Sequence, residues 1–141
     1  MQDVLSAFNP KLYAGKAVVV SGGTSGIGLA IAQGFAGLGA DVIATGSSAK
    51  RLNAARAKHP GVRFEQLDVR DSRAVGAFFA ALPRLDVLVN AQGIARPDAE
   101  WREETFLDVI DVNMNSAMRL SMAAHPLLAK SRGSIITLPR C

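Results

Sequence analysis

The stretch Lys16-Ala17-Val18-Val19-Val20-Ser21-Gly22-Gly23-Thr24-Ser25-Gly26-Ile27-Gly28 decides the fold. Its first part, residues 16–20, is a continuous β-branched run, as expected of a strand covered on both faces. The glycines follow at once, and residues 27–38 then place Ile27, Ile31, Phe35 and Leu38 on one helical face, with Gly39 closing the helix. A glycine-rich turn between a buried strand and a helix suits a phosphate-bearing ligand. Glycine lets the backbone approach a diphosphate, and the helix N-terminus supplies free N–H groups and a favourable dipole. A plain strand-to-helix turn is the alternative reading of the same residues.

Outward from this unit the chain alternates strand and helix. Residues 41–45 form a second buried run, 49–58 a weak helix ended by Pro60-Gly61, and 62–67 a third strand. Asp71 or Ser72 caps a helix whose Val75, Phe78, Phe79 and Leu82 recur at helical spacing before Pro83. A fourth strand covers 85–89 and a loop covers 90–101. One long helix is predicted over 103–130, with the stripe Phe106, Val109, Ile110, Asn113, Ala117, Leu120, Ala124 and Leu127, and with Pro126 kinking or shortening it. Residues 134–138 form a fifth strand. Such alternation predicts an α/β fold with a doubly wound parallel sheet and right-handed crossovers.

The composition narrows the function classes. In 141 residues, 49% apolar and 20% charged, a packed core is expected and disorder is excluded. The net charge of +4 lies wholly in residues 50–73, where Lys50, Arg51, Arg56, Lys58, Arg63, Arg70 and Arg73 face Glu65, Asp68 and Asp71. No basic helix or aromatic-and-basic repeat accompanies it, so a local anion site is expected and a nucleic-acid partner is not. The alternative is a solvated helix face. The single cysteine, Cys141, and the separated His59 and His125 predict no disulfide and no metal site. No apolar run reaches the length of a membrane span and the N-terminus does not read as a signal peptide, so a cytoplasmic protein is expected.

The glycine spacing is Gly-x-x-x-Gly-x-Gly, preceded by the hydroxyl residue Ser21. With it come Leu67-Asp68-Val69 after the third strand, Asn90-Ala91-Gln92-Gly93 after the fourth, Asp111-Val112-Asn113 in the long helix and Gly133-Ser134-Ile135-Ile136 at the fifth strand. Together these resemble the short-chain dehydrogenase/reductase family over residues 12–138. The resemblance implies a Rossmann-like NAD(P)-binding domain over 1–141 with strand order 3-2-1-4-5, C-terminally truncated relative to the family. It also implies hydride transfer between a nicotinamide and an alcohol or carbonyl substrate. Ser21, Gly22, Thr24, Ser25, Gly26, Ile27 and Gly28 would surround the diphosphate and adjoining ribose. Asp68 and Val69 would meet the adenine, while Asn90, Ala91 and Gly93 would line the cofactor's centre. Gln92 stands where the family carries a small Ala. For Asp68, a helix cap or a solvated turn is the alternative.

NAD-preferring members end the second strand on a carboxylate that holds the adenosine ribose. Here that position carries Gly46-Ser47-Ser48, with Lys50 and Arg51 following, so NADP(H) is expected over NAD(H), with Ser47 at the 2′-phosphate. The Arg that often follows this strand in NADP-dependent relatives is Ser47 here.

The family's catalysis uses a Tyr, a Lys four residues later, a Ser and an Asn. Tyr13 is the only tyrosine and precedes the first strand, so no Tyr-x-x-x-Lys occurs. The catalytic Ser position falls on Arg140. Asn113 alone of the four is present, and its alternative role is to relieve a kink by bonding backbone groups. The chain alone is therefore expected to be inactive, with a non-catalytic dinucleotide-binding or interaction module as the competing reading. A third reading is a frameshifted product, because loss of one base from codons for a family-like Asn-Leu-Ala-Ser-Met-Leu can yield Thr137-Leu138-Pro139-Arg140-Cys141. The exposed fifth strand and the long helix predict a homo-oligomer or self-associating species.

Overall fold

The structure is a computed structural model describing residues 2–139. A short helix α1 (Gln2–Leu5) precedes β1 (Ala17–Ser21), α2 (Gly26–Gly37), β2 (Asp41–Gly46), α3 (Ala49–Lys58), β3 (Arg63–Gln66) and α4 (Ser72–Ala80). Then come β4 (Val87–Asn90), α5 (Glu103–Ile110), a π-helical turn (Asp111–Asn115), α6 (Ser116–Ser131) and β5 (Ser134–Thr137). All strand pairs are parallel and the order is β3-β2-β1-β4-β5, as the alternation and the resemblance together predict.

The β-branched runs explain the sheet's position. Val18 and Val20 of β1 point to one face with Val42, Ala44, Phe64, Val87 and Val89, where α2 and α3 cover them with Ala32, Leu52 and Ala55. Val19, Ile43 and Leu88 point to the other, under Val75, Phe79, Leu120, Ala124 and Leu128 of α4 and α6. Burying both faces removes apolar area from water at about 25 cal/mol per Å². β5 is different. All four of its residues are exposed, with Ile135 43% and Ile136 42% accessible, so the sheet ends on an uncovered apolar edge.

Asp86 anchors the start of the sheet. It is 5% exposed and accepts from the Ala17 N–H at 2.8 Å and from Arg84 Nε and Nη2 at 2.8 and 2.9 Å. The Arg84 guanidinium holds its carboxyl below the usual carboxylate range, against the opposing effect of burial. Gly133, just before β5, packs against the Asp86 carbonyl so closely that a side chain has no room there. Tyr13 lies edge-on to Phe35, ring centroids 4.9 Å apart, closing the core over α2.

Two expectations are corrected. The single helix over 103–130 is broken, and not at Pro126, which sits inside α6. The carbonyl that Pro126 leaves without a donor is that of Met122, whose side chain is 68% exposed on the solvent side. The break is the π-helical turn, whose extra residue rotates the stripe that follows. The buried positions are Val109, Val112, Ser116, Leu120, Ala124 and Leu128, whereas Phe106 is 51% exposed and Ile110, Ala117 and Leu127 are half-buried. The second correction is Ile27. It does not join the core face of α2 but stands 62% exposed at the helix start.

Candidate functional site

The glycine turn is built by backbone contacts that only glycine tolerates. Gly22 has φ +73°, and a Cβ there would lie 2.6 Å from the Gln92 Cα and N. The turn after β1 thus rests directly on the segment after β4. The Gly22 and Gly23 N–H groups both donate to the Thr45 carbonyl at 3.0 and 3.1 Å, tying the turn to β2 as well. A Cβ on Gly28 would strike the Gly22 carbonyl oxygen, so α2 begins as close to the turn as backbone allows. Thr24 packs on Gly46, where a Cβ would lie 2.7 Å from the Thr24 methyl.

What this arrangement leaves free is the helix start. Ser25 is the extended N-cap of α2, its side chain makes no capping bond, and the first turn carries no acidic residue. The first N–H groups of α2 therefore face the cleft unneutralised, which favours an anion there. The cleft has a volume of about 480 Å³, and Ser21, Gly22, Thr24, Ser25, Gly26 and Ile27 form one wall. Ser47, Asp68 and Val69 form the second, at the ends of β2 and β3, while Ala91 and Gly93 form the third, after β4. Eleven of the thirteen residues expected at the cofactor thus meet at one opening. Gly28 and Asn90 do not line it. Gly28 supports the turn from beneath, and buried Asn90 donates to Ser121 Oγ at 3.3 Å and Thr137 Oγ1 at 3.2 Å, joining β4 to α6 and β5. The glycine cradle, the uncapped helix start and a cleft lined from the ends of β1, β2, β3 and β4 together fit a dinucleotide.

Asp68 carries more than one bond. It accepts from the Arg70 backbone N–H at 3.0 Å, stabilising its own turn, and from the Arg70 guanidinium. That guanidinium holds its carboxyl below the usual range, outweighing partial burial. Arg119 secures the neighbouring Val69 carbonyl at 2.6 Å and pairs with Asp111 at 3.0 Å. Asn113 takes no place in the cleft lining. Its Oδ1 accepts from the Ile94 N–H at 2.8 Å and its Nδ2 donates to the Ile94 carbonyl at 2.9 Å. Asn113 does bond backbone, as its alternative role requires, but that of the loop after β4 and not of its own helix.

Arg51, expected near the 2′-phosphate, lines the cleft, and so do Arg70 and Arg96, to which the sequence assigned no place there. Gln92, expected only as a departure from the family, is buried and donates to Ser116 Oγ at 2.8 Å, while Ser116 in turn donates to the Val112 carbonyl at 2.5 Å. Asp108 of α5 pairs with both Arg70 and Arg96, at 2.9 and 3.3 Å. A sequence signal exists for Arg70 and Arg96, which flank the Asp68-Val69 and Asn90–Gly93 motifs. None exists for Asp108. Arg140 and Cys141, on which the missing serine and the frameshift reading bear, lie outside the described residues. Among the described residues no cluster suits a metal ion and no helix is long and apolar enough to cross a membrane.

Comparison with known proteins gives the same picture. A family model described as short chain dehydrogenase matches residues 16–139. The chain is 36% identical over 134 residues to an L-fucose dehydrogenase of Bos taurus, covering 89% of this chain and 49% of that protein. It is 35% identical over 130 residues to an NADP-dependent 3-hydroxy acid dehydrogenase of Salmonella typhi, covering 86% and 52% respectively. Among solved structures, the citronellol catabolism dehydrogenase of Pseudomonas aeruginosa superposes with a TM-score of 0.82 at 29% identity, over 92% of this chain and 58% of that one. The chain thus spans about half the length of the curated relatives it matches. Matched from β1 through β5 by a single family model, the chain belongs to the short-chain dehydrogenase family.

Proposed function

We propose that the chain is the cofactor-binding portion of an NADP(H)-linked oxidoreductase acting on an alcohol or carbonyl substrate. The observation that carries the cofactor assignment is Arg51. Arg51 lines the cleft together with Ser47 and Ser48, and its side chain makes no ion pair among the described residues. No carboxylate ends β2, and the one acid lining the cleft, Asp68, is already paired with Arg70. A 2′-phosphate beside Ser47 therefore meets one free cation and two hydroxyls and no opposing charge. Lys50 does not line the cleft and contributes only at longer range. That a relative bears the description NADP-dependent supports the same reading.

The bound nicotinamide supplies hydride acceptance or delivery. The protein's part is to hold the diphosphate at the α2 start, the adenosine phosphate at Ser47 and Arg51, and the loop after β4 through Asn113. The residues offer no proton donor for the substrate oxygen. Tyr13 is packed on Phe35, remote from the cleft lining, and no Tyr-x-x-x-Lys occurs in the 141 residues. A phenol near pKa 10 needs a neighbouring cation to exchange protons near neutrality. The 141-residue chain alone thus binds the dinucleotide without turnover, which also favours a second reading as a dinucleotide-binding module.

Calorimetric titration tests both parts, since Trp101 is 91% exposed and outside the cleft lining, where fluorescence would report little. NADPH binds more tightly than NADH, Ser47→Asp shrinks or reverses that ratio, and no oxidation or reduction of a ketone, aldehyde or alcohol panel exceeds background. Equal affinities in the unmodified chain would remove the cofactor assignment, and turnover abolished by Gly28→Ala would remove the inactive reading.

A further inference from the structure

The cleft holds a second arginine whose role differs from that of Arg51. Every nitrogen of the Arg70 guanidinium is already engaged. Nε and Nη2 donate to Asp68 Oδ1 and Oδ2 at 3.0 and 3.1 Å, and Nη1 donates to Asp108 Oδ1 at 2.9 Å. The N–H bonds of a guanidinium lie in its plane, so the acceptors of all three hold that plane fixed from its edges. With the two carboxylates beside it, Arg70 is a poor binder of a further anion. Its side chain nevertheless remains 42% exposed and lines the cleft. What it offers there is a flat, immobilised, delocalised face.

The strand order bears on which part of a dinucleotide would reach that turn. In dinucleotide folds the adenosine ribose sits at the C-terminal end of the second strand, here Gly46, Ser47 and Ser48. The diphosphate lies inward of it, at the turn between β1 and α2. The base is attached to the ribose on the side away from the phosphates, so it extends outward to the next strand end. That is the end of β3, whose following turn is Leu67-Asp68-Val69-Arg70, all four lining the cleft.

Building on the dinucleotide reading above, we infer that Arg70 is the stacking platform for the adenine ring of the bound cofactor. Asp68 and Asp108 act as positioning residues that hold the guanidinium flat. Recognition through a plane and not through a charge makes the contact specific to arginine. Lysine would keep the charge but present no face, and could not satisfy both carboxylates in a plane. It also makes the contact indifferent to which nicotinamide dinucleotide is bound, because NAD and NADP share the base.

The test uses the full chain and three probes, NADPH, adenosine 2′,5′-bisphosphate and nicotinamide mononucleotide, titrated by calorimetry into the unmodified protein, Arg70→Lys and Arg70→Met. Both variants lose about five- to tenfold in affinity for the two adenine-bearing probes, the usual range for a cation stacked on a ring. Affinity for nicotinamide mononucleotide is unchanged, and the loss in Arg70→Lys, which keeps the charge, is the same at about 0.05 and 0.5 M salt. Asp108→Asn, which keeps the arginine and frees one edge of it, gives a smaller loss confined to the same two probes. Full affinity retained in Arg70→Lys would overturn the proposal in favour of simple charge attraction. A loss shared equally by nicotinamide mononucleotide would overturn it in favour of a general structural role. If the unmodified chain binds neither NADPH nor the bisphosphate, the dinucleotide reading falls and this one with it. If it binds both and Arg70→Met is indistinguishable, only the stacking assignment falls.

Discussion

Two glycines of the same helix separate the demands of folding from those of binding. Gly28 and Gly34 both lie in α2 and neither adopts a positive φ, so replacing either with alanine brings the same gain of about 0.5–1 kcal/mol in helix stability. Their surroundings differ. A Cβ on Gly34 meets nothing within 4 Å, whereas one on Gly28 collides with the Gly22 carbonyl and lies 2.9 Å from the Gly22 carbonyl carbon and 3.2 Å from the Gly23 Cα. All of these are backbone atoms of the turn and cannot rotate aside. Overpacking against such neighbours costs about 1–3 kcal/mol, which exceeds the helix gain. Gly34→Ala should therefore raise the melting temperature by roughly 1–4 °C and Gly28→Ala should lower it by a similar or larger amount, at about 2–4 °C per kcal/mol for a chain near this size. The binding effect is more diagnostic. Pushing α2 away from Gly22 misaligns the N–H groups at the helix start, so dinucleotide affinity in Gly28→Ala falls at least tenfold, or about 1.4 kcal/mol, while Gly34→Ala binds as the unmodified chain does. Circular dichroism melts and calorimetric titration read the two quantities. If both variants behave alike in both assays, close approach of helix and turn is not what Gly28 provides.

Asp86 supplies the acid dependence: its folded pKa lies below its unfolded value, so its contribution is complete above about pH 4 and is lost as pH falls through the folded pKa. Asp86→Asn should cost about 2 kcal/mol at neutral pH, because the Ala17 and Arg84 bonds lose their charge, and it should flatten denaturant-measured stability against pH in the acid range; an unchanged slope would exclude Asp86 as the source. Asn113→Ala removes both bonds to Ile94 and should lower stability by about 1–2 kcal/mol and weaken dinucleotide binding less than Gly28→Ala does, a ranking that equilibrium unfolding and titration check together. The open β5 edge and the exposed Met114, Met118 and Met122 of the π turn and α6 predict self-association, reduced in Ile136→Lys; a monodisperse monomer by light scattering at micromolar concentration counts against it.

The parts of the fold that were legible in the sequence are those whose physics is local. The β-branched runs of β1, β2 and β4 read as buried strands because burial on both faces admits few other residues there. The glycine turn was legible because its φ and close contacts leave no substitute at Gly22. The helix break was not. Asp111-Val112-Asn113-Met114-Asn115 contains neither glycine nor proline, and the π turn coincides with contacts to distant partners, among them the Asn113 bonds to Ile94. A periodic stripe extrapolated across it consequently falls on Asn113 and Ala117, where the buried positions are Val112 and Ser116. The ionic rim of the cleft was hidden for the same reason: Arg70 and Asp108 are 38 residues apart and meet only once β3 and α5 are packed. Charge counting found the excess of cations between residues 50 and 73 but could not say that Arg70 is neutralised while Arg51 is left free.

That difference in pairing gives the two arginines separate work. An anion reaching the cleft gains most from a cation with no competing partner, which is Arg51. A cation whose three nitrogens each already donate to a carboxylate contributes surface and rigidity instead, which is Arg70. The same reasoning applies to Asn113, where the resemblance places a catalytic residue. Its amide oxygen and nitrogen each bond the Ile94 backbone, so in this chain it holds the loop after β4. On the proposed function, binding and turnover are carried by different residues: the ends of β1, β2, β3 and β4 would hold the dinucleotide, while proton transfer to a substrate would need a phenol and an ammonium that no Tyr-x-x-x-Lys in the 141 residues supplies. Supplying a Tyr-x-x-x-Lys-bearing partner segment to the bound chain should restore turnover without altering dinucleotide affinity, whereas a simultaneous change in both would show that the cleft itself is incomplete.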